Sequence, residues 1–120
     1  AATAQAYESA LSLDAQNPQV LNTLAWLYAT CEDAQLRNPE RALTLARKAA
    51  AIEPDTAHIM DTLAESHFVN GNLQEAIDYA QKALNAADGA GDHYRQQLER
   101  FQQAQGVMDQ GSTIQIKGKR

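Results

Sequence analysis

Two stretches of this chain repeat one another at fixed distances. Ala42, Ala46 and Ala49 align with Ala76, Ala80 and Ala83, each pair 34 residues apart (76 − 42, 80 − 46, 83 − 49). Asn22-Thr23-Leu24-Ala25 aligns with Asp61-Thr62-Leu63-Ala64 at an offset of 39 (61 − 22). The offsets differ by 5 residues (39 − 34), which places a short insertion between the halves of the first copy. Self-similarity near this period, in Ala- and Leu-rich sequence, signals stacked helical hairpins, because one hairpin alone cannot bury its apolar face. A chain so built is a scaffold or binding surface before it is anything else.

The residues at these positions resemble the tetratricopeptide repeat (TPR) family. The first copy reads Leu21, Leu24-Ala25, Tyr28, Ala42, Ala46, Ala49 and Pro54; the second reads Met60, Leu63-Ala64, His67, Gly71, Ala76, Ala80 and Ala83. An earlier half copy, Tyr7, Ala10-Leu11 and Leu13-Asp14, matches Ala46, Ala49-Ala50 and Ile52-Glu53. Departures are Ala25 and Ala64 where the family prefers Gly, His67 in an aromatic slot, the insertion, and no closing Pro in the second copy. The resemblance implies an all-α fold: a right-handed array of antiparallel helical hairpins, a TPR-like α-solenoid, with a C-terminal capping helix. The expected divisions are a repeat domain over 1–105 (half repeat 1–15, repeats 16–54 and 55–88, capping helix 92–105) and a flexible tail over 106–120.

Local signals agree. Asn17-Pro18 and Asn38-Pro39 each pair an N-cap residue with a Pro at the first helical position, where its missing N–H costs nothing. Gly71 suits the left-handed turn that ends a helix. Asn72 with Glu75 predicts a capping box. From 92 to 105, Tyr94, Leu98 and Phe101 share one face. His93, Arg95, Gln96, Gln97, Glu99, Arg100, Gln102 and Gln103 are expected to form a solvated one. Past Gly106 helical periodicity fades, and Ile114 and Ile116 alternate as in a strand. The insertion, roughly 30–37, reads either as a partner-contacting loop or as an added helical turn. In the second reading Asp33 pairs with Arg37 and Leu36 tucks inward.

Charge and chemistry narrow the function. A net charge of −5 argues against binding phosphate backbones, which needs clustered Lys and Arg. No apolar run approaches the ~20 residues that span a bilayer. The single cysteine, Cys31, rules out an internal disulfide, and it ends a helix, where no dipole activates a thiol. His58, His67 and His93 have no i, i+4 partner of ligand type, so no zinc pair is expected; neither a cofactor nor catalysis is expected. The chain opens inside a helical pattern without an initiator Met and reads as a piece of a longer protein, so bacterial cytoplasm and periplasm both stay open.

In TPR arrays the concave groove is lined by the first helix of each hairpin. Carried across, its positions are Gln19, Asn22, Thr23, Trp26 and Thr30 from the first copy, and His58, Asp61, Thr62, Glu65 and Val69 from the second. The family's carboxylate clamp uses Lys, Arg and Asn, whereas Asp61 and Glu65 here would repel a carboxylate. The expected function is non-catalytic binding of a peptide or partner-protein segment, one bearing Lys or Arg. The alternative is a structural or oligomerisation segment whose groove is filled by its own or a neighbouring chain. A homodimer through the N-terminal helix is also expected, because Tyr7, Leu11 and Leu13 lack a hairpin partner.

Overall fold

The structure, a computed structural model, describes residues 2–88 and 91–118, with side chains placed over 4–88 and 91–107. It consists of six α-helices: α1 (Ala2–Leu13), α2 (Pro18–Thr30), α3 (Pro39–Ile52), α4 (Ala57–Val69), α5 (Leu73–Ala86) and α6 (Asp92–Gly118). No strand occurs among the described residues. The helices pair in chain order, α2 with α3 and α4 with α5, and each hairpin stacks on the next through α3 against α4 and α5 against α6.

Helix starts follow the cap signals in part. Asn17 Oδ1 accepts from the amides of Gln19 and Val20 at 3.0 and 3.2 Å, and Asn38 Oδ1 from that of Arg41 at 3.2 Å. These bonds satisfy amides that have no partner within the helix. The capping box expected at Asn72 does not form. Its side chain makes no cap bond and donates to His67 Nδ1 at 3.2 Å instead. Gly71 takes φ +81°, and Asn72 N returns to His67 O at 2.9 Å, closing α4 with a left-handed turn.

Small residues set the spacing between layers. Ala25, Ala42, Ala46, Ala49, Ala64, Ala76, Ala80 and Ala83 are all buried, so backbones approach closely at the crossings. The larger side chains fill two cores. One joins Leu11, Leu21, Leu24, Leu45, Ile59 and Leu63; the other joins Ala64, Ala76, Ala80, Leu98 and Phe101. Helix α1 is clamped as well as packed. Glu8 accepts from Tyr28 Oη at 2.7 Å and from Arg41 Nε and Nη2 at 3.2 and 2.8 Å. Those bonds, Arg41's above all, hold the Glu8 carboxyl below its ordinary pKa against the opposing effect of burial.

The insertion is neither an extra helical turn nor an Asp33–Arg37 pair. Helix α2 stops at Thr30. Arg37 Nε donates to Cys31 O at 2.8 Å and its Nη2 to Glu32 O at 3.2 Å, while Asp33 Oδ1 accepts from Gln35 N at 2.9 Å. A residue free to bond its own backbone two positions on favours a turn over a helix. Leu36 is half-buried, as expected. At the other end, helical backbone continues past Gln105 to Gly118, where the sequence pattern had faded. No Pro interrupts this stretch, and isolated glycines such as Gly106 cost only ~1 kcal/mol each relative to Ala. Lys119 and Arg120 lie outside the described residues.

Candidate functional site

The first helices of the hairpins, α2 and α4, run side by side, and α6 takes the next place in that row. Its register shows this: Tyr94, Leu98 and Phe101 stand 34 residues after Met60, Ala64 and His67 (94 − 60, 98 − 64, 101 − 67). Phe101 is fully buried and stacks on Phe68 with centroids 4.8 Å apart. Anchored by Leu98 and Phe101, α6 turns a polar ridge, His93–Gln97–Arg100, toward α4.

That ridge meets Asp61 and Glu65, both 5% exposed. His93 Nε2 lies 2.8 Å from Asp61 Oδ2, and Gln97 Nε2 lies 3.4 Å from Asp61 Oδ1 and 3.3 Å from Glu65 Oε1. Arg100 pairs with Glu65, its guanidinium resting over the Phe68 and Phe101 rings at 5.0 and 4.8 Å. Buried carboxylates require such partners, since an unpaired charge in the interior is expensive. The solvated face expected of α6 is therefore corrected at one position: Gln97 is buried, while His93 and Arg100 are exposed yet reach the acids of α4.

Between α2, α4 and the start of α6 lies a cleft of about 310 Å³ lined by Asn22, Thr23, Trp26, Leu27, His58, Asp61, Thr62, His93 and Tyr94. It gathers six of the ten expected groove residues: Asn22, Thr23, Trp26, His58, Asp61 and Thr62. Trp26 is half-buried, and its ring meets His93 edge-on at 6.3 Å. His58 Nε2 reaches Gln19 Oε1 at 3.3 Å, which places Gln19 at the margin. Thr62 Oγ1 donates back to His58 O at 3.0 Å. Asn22 Oδ1 is enclosed and has no hydrogen-bond partner among the described residues.

The other expected positions do not join the cleft. Thr30 Oγ1 bonds Trp26 O within its own helix at 2.7 Å, Val69 is half-buried at the end of α4, and Glu65 faces Arg100. Sequence reasoning missed His93 and Tyr94. The 34-residue register would not have found them, since it aligns them with Ile59 and Met60, which are buried core residues. Burial, and secondarily the Asp61 carboxylate, push the Tyr94 phenol above its ordinary pKa.

Three larger clefts, about 630, 660 and 360 Å³, lie elsewhere. In the first, Tyr79 is engaged with His67 and Lys82. In the second, Glu8 and Tyr28 are occupied by each other and by Arg41. Among the described residues no group of His, Cys, Asp or Glu stands ready to hold a metal ion, and no helix is long and apolar enough to cross a membrane.

A helical-repeat solenoid with a cleft along its first helices is the class this geometry defines. Comparison with solved structures agrees. The chain is similar to the crystal structure of MamA, with a TM-score of 0.69 and 24% sequence identity over 88% of this chain and 58% of that one. This likeness supports a TPR-like fold, and the chain spans little more than half the length of MamA. No family model matches the sequence, and no curated protein matches it.

Proposed function

We propose that this chain is a non-catalytic protein-interaction module that takes a segment of a partner protein in the cleft between α2, α4 and α6. The observation that carries this reading is the convergence of six groove residues, expected from the TPR resemblance, on one open cleft around a half-buried tryptophan. Tryptophan, with Tyr and Arg, is enriched among the residues that dominate binding energy. Asn22 adds an amide able to hold a segment's backbone. Asp61 inclines the site toward a segment bearing Lys or Arg. Glu65, taken up by Arg100, leaves the set of ligand contacts. The net charge of −5 weighs against nucleic acid as partner.

A second reading is that of a structural segment in a larger protein, with the groove closed by its own chain. The capture of Asp61 and Glu65 by α6 favours it. A homodimer through α1 has less support, because Leu11 is buried within its own chain and Leu13 alone of the three stands fully exposed.

An array of short random peptides, probed with the wild type, Trp26→Ala and Lys82→Glu, separates the readings. Lys82 lines the cleft between α3, α4 and α5. The cleft reading expects Trp26→Ala to weaken captured peptides about tenfold or more and Lys82→Glu to leave them unchanged. Retention of every peptide by a folded Trp26→Ala transfers the case to the structural reading.

A further inference from the structure

The cleft combines aromatic walls with one carboxylate, and the state of that carboxylate is informative. Three rings follow one another around it. Trp26 meets His93 at 6.3 Å and 63°, and His93 meets Tyr94 at 5.4 Å and 72°. Asp61 lies among them, with His93 on one oxygen and Gln97 on the other.

Hydrogen bonds to both oxygens do not cancel the charge. Gln97 is a neutral donor, and His93 reaches only one of the two carboxylate oxygens. Glu65 differs, being neutralised by Arg100. The charge of Asp61 also reaches the cleft, where it contributes to holding up the Tyr94 phenol.

We propose that this cleft is a subsite for an alkylammonium group, the head of a lysine on the bound segment. A cation gains from the faces of Trp and Tyr and from a desolvated carboxylate nearby. Arginine fits less well. Its planar fork favours a carboxylate with both oxygens free for parallel bonds, and here each already receives a donor. An ammonium, a compact charge with rotatable donors, needs no such pair. The inference rests on the cleft being the binding site, and it replaces a general preference for basic segments with one residue type at one position.

The test uses three small probes, the methylamides of Nα-acetyl-lysine, Nα-acetyl-arginine and Nα-acetyl-norleucine, titrated into the whole chain while its ¹H–¹⁵N spectrum is followed. The lysine probe should shift the Trp26 indole and the amides near Tyr94 and bind about tenfold tighter than norleucine, with arginine weaker than lysine. Asp61→Asn, which keeps shape while removing charge, should abolish the difference between lysine and norleucine. Trp26→Leu should do the same independently of the His93 and Gln97 contacts. Equal binding of lysine and norleucine, a preference for arginine, or indifference to Asp61→Asn in a folded protein overturns the subsite. If the subsite falls while array peptides free of lysine still depend on Trp26, the binding cleft stands and only its specificity is wrong. If Trp26 matters to neither, both fall.

Discussion

His67 occupies the slot that Tyr28 fills in the first copy, and its surroundings treat it as a neutral aromatic. The ring is buried, stacks on Tyr79 with centroids 5.4 Å apart and planes within 3°, and accepts at Nδ1 from Asn72 Nδ2. Since the amide nitrogen can only donate, Nδ1 carries no proton in this arrangement. Burial, with Arg47 nearby and Glu75 opposing, pushes the imidazole below its ordinary pKa, about 6.5. Between the lowered native value and the ordinary one, the unfolded chain binds more protons, so stability rises with pH there. The contribution of His67 is complete above about pH 6.5 and is lost as pH falls through its native value. Thermal midpoints measured across this range should drop toward acid in the wild type and drop less in His67→Phe. Parallel curves for the two proteins would mean that His67 is not held neutral by the fold.

Among the helices, those begun by Asn-Pro were legible because the signal is local: a side chain caps the helix it precedes. The Asn72 box was misread because the same amide has a tertiary competitor in His67, and no local pattern shows which partner wins. Six groove positions were legible through the TPR resemblance, carried across by repeat register. The pairing of Asp61 and Glu65 was not, because it depends on which ridge of α6 meets α4, and that is set by Leu98 and Phe101 sinking into the second core. Among the described side chains of α6, those up to 107, the fully buried ones end at Phe101, since 102–107 are exposed or half-buried. We therefore propose that the packed domain ends near 105 and that 106–120 adds little to its stability, helical or not. A chain truncated after Gln105 should melt within a few degrees of the full chain, whereas Phe101→Ala should cost about 3–5 kcal/mol. A large loss of stability on truncation would place part of the core beyond 105.

The whole molecule is a row of first helices, α2, α4 and α6, backed by α3 and α5, with α1 clamped at one end through Glu8. Such an array gathers side chains from three separated segments along one line, so a cleft forms where no single motif exists to be recognised. Its end has been modified. The contact between α4 and α6 adds a polar edge to the Phe68–Phe101 stack, and Glu65, an acid that would extend a charged groove, is taken up there by Arg100. What remains open is the recess around Trp26. The most direct test is to take a peptide selected on the array and map its binding by ¹H–¹⁵N chemical-shift changes over the whole chain. The account predicts the largest changes at Asn22, Thr23, the Trp26 indole, Thr62 and Tyr94, with α3 and α5 quiet. Changes centred on Tyr79 and Lys82, with the Trp26 indole unmoved, would contradict it.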